Sequence, residues 1–531
     1  MKNIIFLQPE KENILFNMKR KIFSFLAMML FFGSLSAQET QYQFNYHQFE
    51  HGMTMVIQIQ INGVEQQTND IELGSFDGTT VTGSERIDEY NGGAWRVYFT
   101  AFFNNTYDIS FKIYNHATHV EYDNYEISFQ GSPYTLTLVD GAGPGTKADP
   151  LVLNFVTEQT YTKTITPYSA TDGGWYLISS PIGNVAPENV TNMTNNSFDL
   201  YRFNQSADLE WENYKAGGEH YHFNLETGKG YLYANSGNVT LTFTGYPYNG
   251  NGQVTLTKDT DATFAGWNLV GNPFPQTAYI TKSFYTINPT GRAEVIAGTG
   301  NQVEAMEGIF VIADTNDETM TFSTSAPDKA NSQLVIDLSN SNSRSSAIDR
   351  AIVRFDNSDE LLKFQLFEDN TKLYIPQNNK DYAIVNADNQ GEIPVNFRPA
   401  ENGTYTLSFN TENVTFGYLH LVDNFTGNDV DLLATPSYTF DANTCNYASR
   451  FKLVFAISNI DDEQFAFISN GEIILNGVNG NTTVQLFDVT GRMLSSTNGV
   501  SRISTENMAS SVYMLRLING NDTKTQKIIV K

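Results

Sequence analysis

"MTMVIQIQINGVEQ" (residues 53–66) alternates apolar and polar residues, so Met53, Met55, Ile57, Ile59 and Ile61 share one face of an extended strand. Asn62-Gly63 follows at once. Both residues tolerate positive φ, and the pair predicts a type I′ hairpin turn. Further runs of the same kind, "WRVYFTAFF", "YDISFKIY", "YEISF" and "YTLTLV", come at short intervals. That spacing predicts an antiparallel β-sandwich.

The rest of the chain has the same character. Its 531 residues exceed one ordinary core, and three to five domains are expected. Tyr (28) and Phe (37) far outnumber Trp (4), and Asn, Thr, Ser and Gly cluster between apolar runs. This is the composition of many short strands with polar turns. The expected fold is all-β, with several antiparallel β-sandwich modules in series and a small β-sandwich at the C-terminal end.

Residues 1–37 read as an export signal. Lys19-Arg20-Lys21 precede an apolar run of 12 residues, Ile22 to Gly33, and "SLSA" supplies small residues before Gln38. A run of that length is too short to span a bilayer. Cleavage is expected after Ala37, leaving Gln38 as the new terminus, and Met18 is an alternative start. Removing residues 1–37 takes five of 32 basic and two of 58 acidic residues, leaving 27 against 56, net −29. Such a charge opposes nucleic-acid binding, which depends on phosphate neutralisation. It suits a solvated surface better than a dedicated Ca²⁺ site. The single cysteine, Cys445, rules out an intramolecular disulfide and is expected to be a buried thiol.

The first sandwich is assigned to residues 38–160. Near its end "DGAGPGTKADP" superficially suggests a phosphate loop, but it lacks the Gly-Lys-Ser/Thr ending, and it reads as an interdomain loop. Residues 161–326 contain an internal repeat. "GWYLISSPIGN" at Gly174 and "GWNLVGNPFPQ" at Gly266 match, each followed by a second similar element, "GKGYLYANSGNVTLTFTG" and "MEGIFVIADTNDETMTFST". Trp175 and Trp267 are expected to anchor cores. Residues 327–457 predict another sandwich, interrupted by the polar "NSNSRSS", and the acidic "SNIDDEQ" opens the last domain, 458–531.

Motifs that carry chemistry are missing. No Gly-x-Ser-x-Gly, His-Glu-x-x-His or P-loop pattern occurs, and Cys445 has no nucleophile-like surroundings. The chain is therefore expected not to be an enzyme and to need no cofactor. "GEHYHFN" would set His220 and His222 about 7 Å apart on one strand face, but no third ligand is evident, and "HATH" (His116, His119) is weaker; no metal site is assigned. The stretch "DLYRFNQSADLEWENYKAGGEHYHF" is both aromatic and polar. Trp211, Tyr214 and Tyr221 are its candidate ligand platform, rings in a turn-rich insertion that suit stacking on sugars or peptide side chains if exposed, with packing into a core as the alternative.

Residues 463–531 resemble the C-terminal sorting domain of the type IX secretion system of Bacteroidetes. The elements that match are "FAFISNGEIILNG", the strand-turn-strand "VQLFDVTGRML" with Asp488, Gly491 and Arg492, the strand "SVYMLRL" with Tyr513, and the closing "QKIIVK" with Lys527 and Lys531. Ser511 replaces the Gly usual before Val-Tyr, and "SNGEI" replaces the commoner Pro-Asn-Pro entry. The block Gln333–Ala456 resembles a sandwich that commonly precedes this domain in Bacteroidales surface proteins, and "IELGSFDG" resembles modules of the same proteins. With Sec export expected from the N-terminal signal, the resemblance implies outer-membrane translocation by the type IX machinery, removal of this domain, and release or attachment to surface lipopolysaccharide. The expected function is a secreted or surface-anchored, non-catalytic protein, adhesin-like or carbohydrate-binding, with a glycan or host protein as ligand. A structural or accessory component of the surface layer and a hydrolase with unlocated carboxylates are the alternatives.

Overall fold

The computed structural model describes residues 40–90, 93–104, 108–169, 173–193, 197–216, 222–288, 294–341, 347–458 and 464–531. The export signal with Ala37 and Gln38 lies outside the described residues, as do Glu219, His220, Tyr221 and the linker cores 342–346 and 459–463. Among the described residues the regular structure is strand, with two 3₁₀ turns at Tyr46–Gln48 and Pro187–Asn189. No described helix is long and apolar enough to cross a membrane. The chain is all-β and divides into two compact units, Met1–Thr157 and Glu158–Lys531.

In the first unit the strand His51–Ile61 is central, antiparallel to Ala94–Phe103 and parallel to Leu151–Phe155. The alternation in its sequence decides which face is dry. Met53, Met55, Ile57 and Ile59 are at most 2% exposed, and they pack against Leu73, Phe111 and Ile113 of a second sheet in one core. Each such buried side chain contributes about 1.5–3 kcal/mol. Asn62 (φ 51°) and Gly63 (φ 79°) make the expected turn. Two expectations fail here. Tyr134–Val139 tucks Leu136 and Leu138 into the core but joins no ladder. The Gly/Pro-rich stretch does not separate domains, because the strand after it returns to the central strand of the same sheet. Gly145 is needed where that return runs close beside the central strand: its φ is +96°, and a Cβ would lie 2.2 Å from the Val56 carbonyl oxygen.

In the second unit the Gly-Trp repeat is a structural duplication. Strands Trp175–Ile178, Phe198–Phe203, Trp211–Asn213 and Tyr231–Asn235 form one four-stranded sheet, and Trp267–Gly271, Tyr285–Ile287, Val295–Ala297 and Gly308–Ile312 form another. In both, the first strand lies beside the fourth, the fourth beside the second and the second beside the third. Both copies add a two-stranded ribbon, Gln159–Ile165 with Val239–Gly245, and Gln253–Leu256 with Glu318–Thr321. Trp267 is buried, with its ring stacked 4.2 Å from that of Phe364, while Trp175 is half-buried against Tyr168 and Tyr201. Both tryptophans anchor packing.

Strands from Gln333–Asn340 to Phe451–Ile457 join one 11-stranded sheet whose curled inner face encloses the core around Leu338, Leu407, Phe397 and Leu453. Buried Arg450 clamps Asp423 with bonds of 3.1 and 2.8 Å and lies over the Phe440 ring. Cys445 is exposed rather than buried, because it sits in the loop after the strand Ser437–Ala442, where the Asn443 side chain caps its N–H.

The last module has two sheets. Ala466–Ser469, Glu472–Leu475 and Arg502–Ser504 form one; Met493–Asn498, Thr483–Phe487, Ser511–Asn519 and Asp522–Val530 form the other, in that spatial order. Between them Ile473, Leu475, Val484, Leu486, Leu515 and Leu517 form the core.

Candidate functional site

The turn of the last module is built by one aspartate. Asp488 Oδ1 accepts from the Thr490 N–H (3.0 Å), the Thr490 hydroxyl (2.6 Å) and the Arg492 N–H (3.0 Å), while Oδ2 accepts from Arg492 Nε (3.0 Å). Gly491 closes the loop at φ +81°. These bonds, led by the Thr490 hydroxyl, hold the Asp488 carboxyl below its ordinary range. Tyr513 points inward and donates its hydroxyl to the Ala509 carbonyl (2.9 Å). Lys527 and Lys531 are exposed.

This module is docked on the sandwich before it. Phe467 and Ile474 pack against Tyr418, Val422, Val454 and Ala456. Arg502 bonds to Asp429, lies 3.4 Å from Glu472, sets Nη2 2.8 Å from His420 Nδ1 and places its guanidinium over the Tyr418 ring. His420 stacks on Tyr418 and reaches Asp429 at 2.7 Å. Burial alone would raise the Asp429 carboxyl, but the bonds from His420 and Arg502 and the Arg502 charge hold it far below its usual value. Asn476 donates to the Ile457 carbonyl (2.7 Å), over Gly417. The bonds that Asn476 and Arg502 make across to the sandwich join residues 19 to 82 positions apart, which hid them from sequence reasoning.

A second candidate site is a cleft of about 320 Å³ between the two repeats. Arg202 and Asn204 come from the first repeat's second strand and the turn after it, Glu226 and Lys229 from the turn before its fourth strand, and Thr257 from the second copy. The repeats approach closely because they meet at glycines. Gly308 would set a Cβ 3.3 Å from Gly230 Cα, and Gly271 would set one 2.5 Å from the Lys229 carbonyl. Gln205 and Asn268 line the floor, but their amides are used internally: Gln205 accepts from the Gly266 N–H (2.7 Å) and donates to the Trp267 carbonyl (3.1 Å). The Arg202 guanidinium is paired with Glu212, and Asn204 donates to Glu212 Oε1 (3.1 Å). Exposed Glu226 and half-buried Lys229 complete the polar wall.

The aromatic platform expected from the sequence is arranged differently. Trp211 is half-buried, edge-on to Phe203 (5.3 Å) and Phe310 (6.0 Å). Tyr214 packs between Phe198 and Phe223 and donates to Glu188 (3.2 Å). Of the two readings of these rings, packing holds for Trp211 and Tyr214: Trp211 lies in a strand paired with Phe198–Phe203, and the two rings serve two different cores. Tyr221 lies outside the described residues. The same stretch does supply Arg202 and Asn204 to the cleft. Of the histidines, His116 bonds to buried Glu72 (2.7 Å), His119 to the Tyr114 hydroxyl (3.2 Å), and His222 lies edge-on to Tyr214. Among the described residues no group of three His, Cys, Asp or Glu is placed to hold a metal ion.

No curated protein matches this chain. A solved structure described as "Biofilm associated protein - BSP domain" aligns over 94% of this chain and 99% of its own, at 9% identity and a TM-score of 0.12, too low to bear on fold or function. Residues 469–531 match the family described as secretion system C-terminal sorting domain. The chain therefore carries a type IX secretion sorting domain, is handled by that machinery and is exported to the cell surface or the extracellular space.

Proposed function

We propose that this exported protein is a non-catalytic, adhesin-like carbohydrate binder whose ligand site is the cleft between the two Gly-Trp repeats, and that it is held on surface lipopolysaccharide or released after sorting. The observation that supports the reading is the cleft's chemistry. Its volume, about 320 Å³, lies at the small end of ligand pockets, which run roughly 300–1,000 Å³. Its wall offers a carboxylate (Glu226) and an ammonium (Lys229), beside Arg202 and Asn204 held by Glu212, an acceptor–donor mixture matched to sugar hydroxyls. Buried Tyr231 and Trp267 keep the wall rigid, which lowers the cost of ordering the site on binding.

The test is a glycan array probed with the secreted protein and with Glu226→Gln/Lys229→Met. Selective glycan binding that the double variant loses, at an unchanged melting temperature, supports the proposal. No glycan signal, equal binding by the variant, or turnover of a polysaccharide by the wild type overturns it. Co-purification with surface assemblies in the absence of any glycan signal favours a structural role.

A further inference from the structure

We propose that the outward face of the sorting domain's four-stranded sheet is the surface on which the export machinery engages this protein, and that the partner presents an apolar surface rimmed by carboxylates. The proposal rests on the assignment of residues 469–531 as a sorting domain. The module's other faces are in use. Val484, Leu486, Tyr513, Leu515, Leu517, Ile528 and Val530 fill the core between its sheets, and Phe467 and Ile474 meet the sandwich.

On the outward face, strand register aligns Met493, Phe487, Met514 and Lys527 across all four strands, and sets Val512 opposite Ile529 in the next row. Paired neighbours on one face lie about 5 Å apart and successive rows about 7 Å apart, so the five apolar side chains make one patch. None of them joins a core, and Met493 and Ile529 are 53% and 56% exposed. The row on the other side, Ser496, Gln485, Arg516 and Thr525, is polar, as a solvated sheet face requires. A solvated face has no need of the apolar rows, whereas a docking surface does.

Charge identifies the occupant. The matched span, residues 469–531, holds six basic residues (Arg492, Arg502, Arg516, Lys524, Lys527, Lys531) against four acidic (Glu472, Asp488, Glu506, Asp522), net +2. With the whole chain at −26, the remainder carries −28. Exposed Arg516 and Lys527 flank the apolar patch. An acid-rimmed partner attracts this face and repels the rest of the cargo, so the encounter is oriented before contact.

The test expresses the full-length protein in a type IX-competent host, with surface display read by protease accessibility and folding by thermal melting of purified protein. Met514→Ser/Ile529→Ser and Arg516→Glu/Lys527→Glu should each lower display about tenfold, equivalent to roughly 1.4 kcal/mol of lost binding, at an unchanged melt. Ile468→Ser, an exposed position on the other sheet, should display normally. Wild-type display of the folded charge pair overturns the proposal even if the apolar pair unfolds. Dimerisation in sedimentation velocity that Met514→Ser removes would assign the face to a second copy, and also overturns it. If deleting Glu472–Lys531 leaves display intact, the sorting assignment itself fails; if only the face variants display normally, the face alone fails.

Discussion

Arg502 reaches from the sorting domain to the sandwich, bonds to Asp429 and Glu472 and lies against His420 and the Tyr418 ring. Removing it leaves the half-buried Asp429 with His420 alone, and Arg502→Ala should cost about 1–2 kcal/mol in denaturant titration. The pH dependence has a definite sign. The Asp429 carboxyl is lowered in the folded state, so its contribution is complete above the unfolded value of about 3.9 and is lost as pH falls below it towards the folded value. Wild type should therefore lose stability relative to Asp429→Asn only below about pH 4, and a difference that instead disappeared between pH 6 and 8 would contradict this origin. Lys363 is a sterner case. Its side chain is 1% exposed and sits 2.6 Å from Asp349 Oδ2, itself bonded to the Leu373 N–H. Lys363→Met strands that carboxylate and should cost about 3–5 kcal/mol by equilibrium unfolding.

At the scale of elements, turns and close approaches decide what a strand can do. The loop from Asp488 to Arg492 depends on the positive φ of Gly491. Gly491→Ala should destabilise the sorting domain by about 1–2 kcal/mol, read as faster amide exchange in the strands Thr483–Phe487 and Met493–Asn498. Docking depends on Gly417, where a Cβ would fall 1.8 Å from Asn476 Oδ1. Gly417→Ala must displace Asn476 and its bond to the Ile457 carbonyl, at a cost of about 1–3 kcal/mol, and proteolysis between the sandwich and the sorting domain should accelerate. Normal protease resistance would mean that docking tolerates the loss. The repeat makes the same point. Its tryptophans were visible in the sequence, while the glycine contacts that bring the copies together, Gly230 against Gly308 and Gly271 against Lys229, follow only from how the sheets meet.

For the whole molecule, deletion of Glu472–Lys531 should trap the protein in the periplasm, because the exported body would then lack its sorting domain. Cell fractionation reads the outcome directly. The body should be less stable when so truncated, since Tyr418, Val454 and Ala456 would lose the cover of Phe467 and Ile474. The sequence by itself determined the all-β class, the hairpin at Asn62-Gly63, the duplication and the sorting domain, because alternation, turn residues and short repeats are local and the strands obey them. It misread Tyr134–Val139, which alternates correctly but has no ladder partner, and Cys445, whose burial depends on a loop's course. It left open whether Trp211 and Tyr214 pack or face a ligand, because a polar stretch says nothing about which strand pairs beside it. Tertiary structure alone decided the cleft, the docking of the sorting domain through Arg502 and the apolar outward face. Each of these requires residues tens of positions apart to meet, and that depends on sheet order and register, which local patterns do not encode.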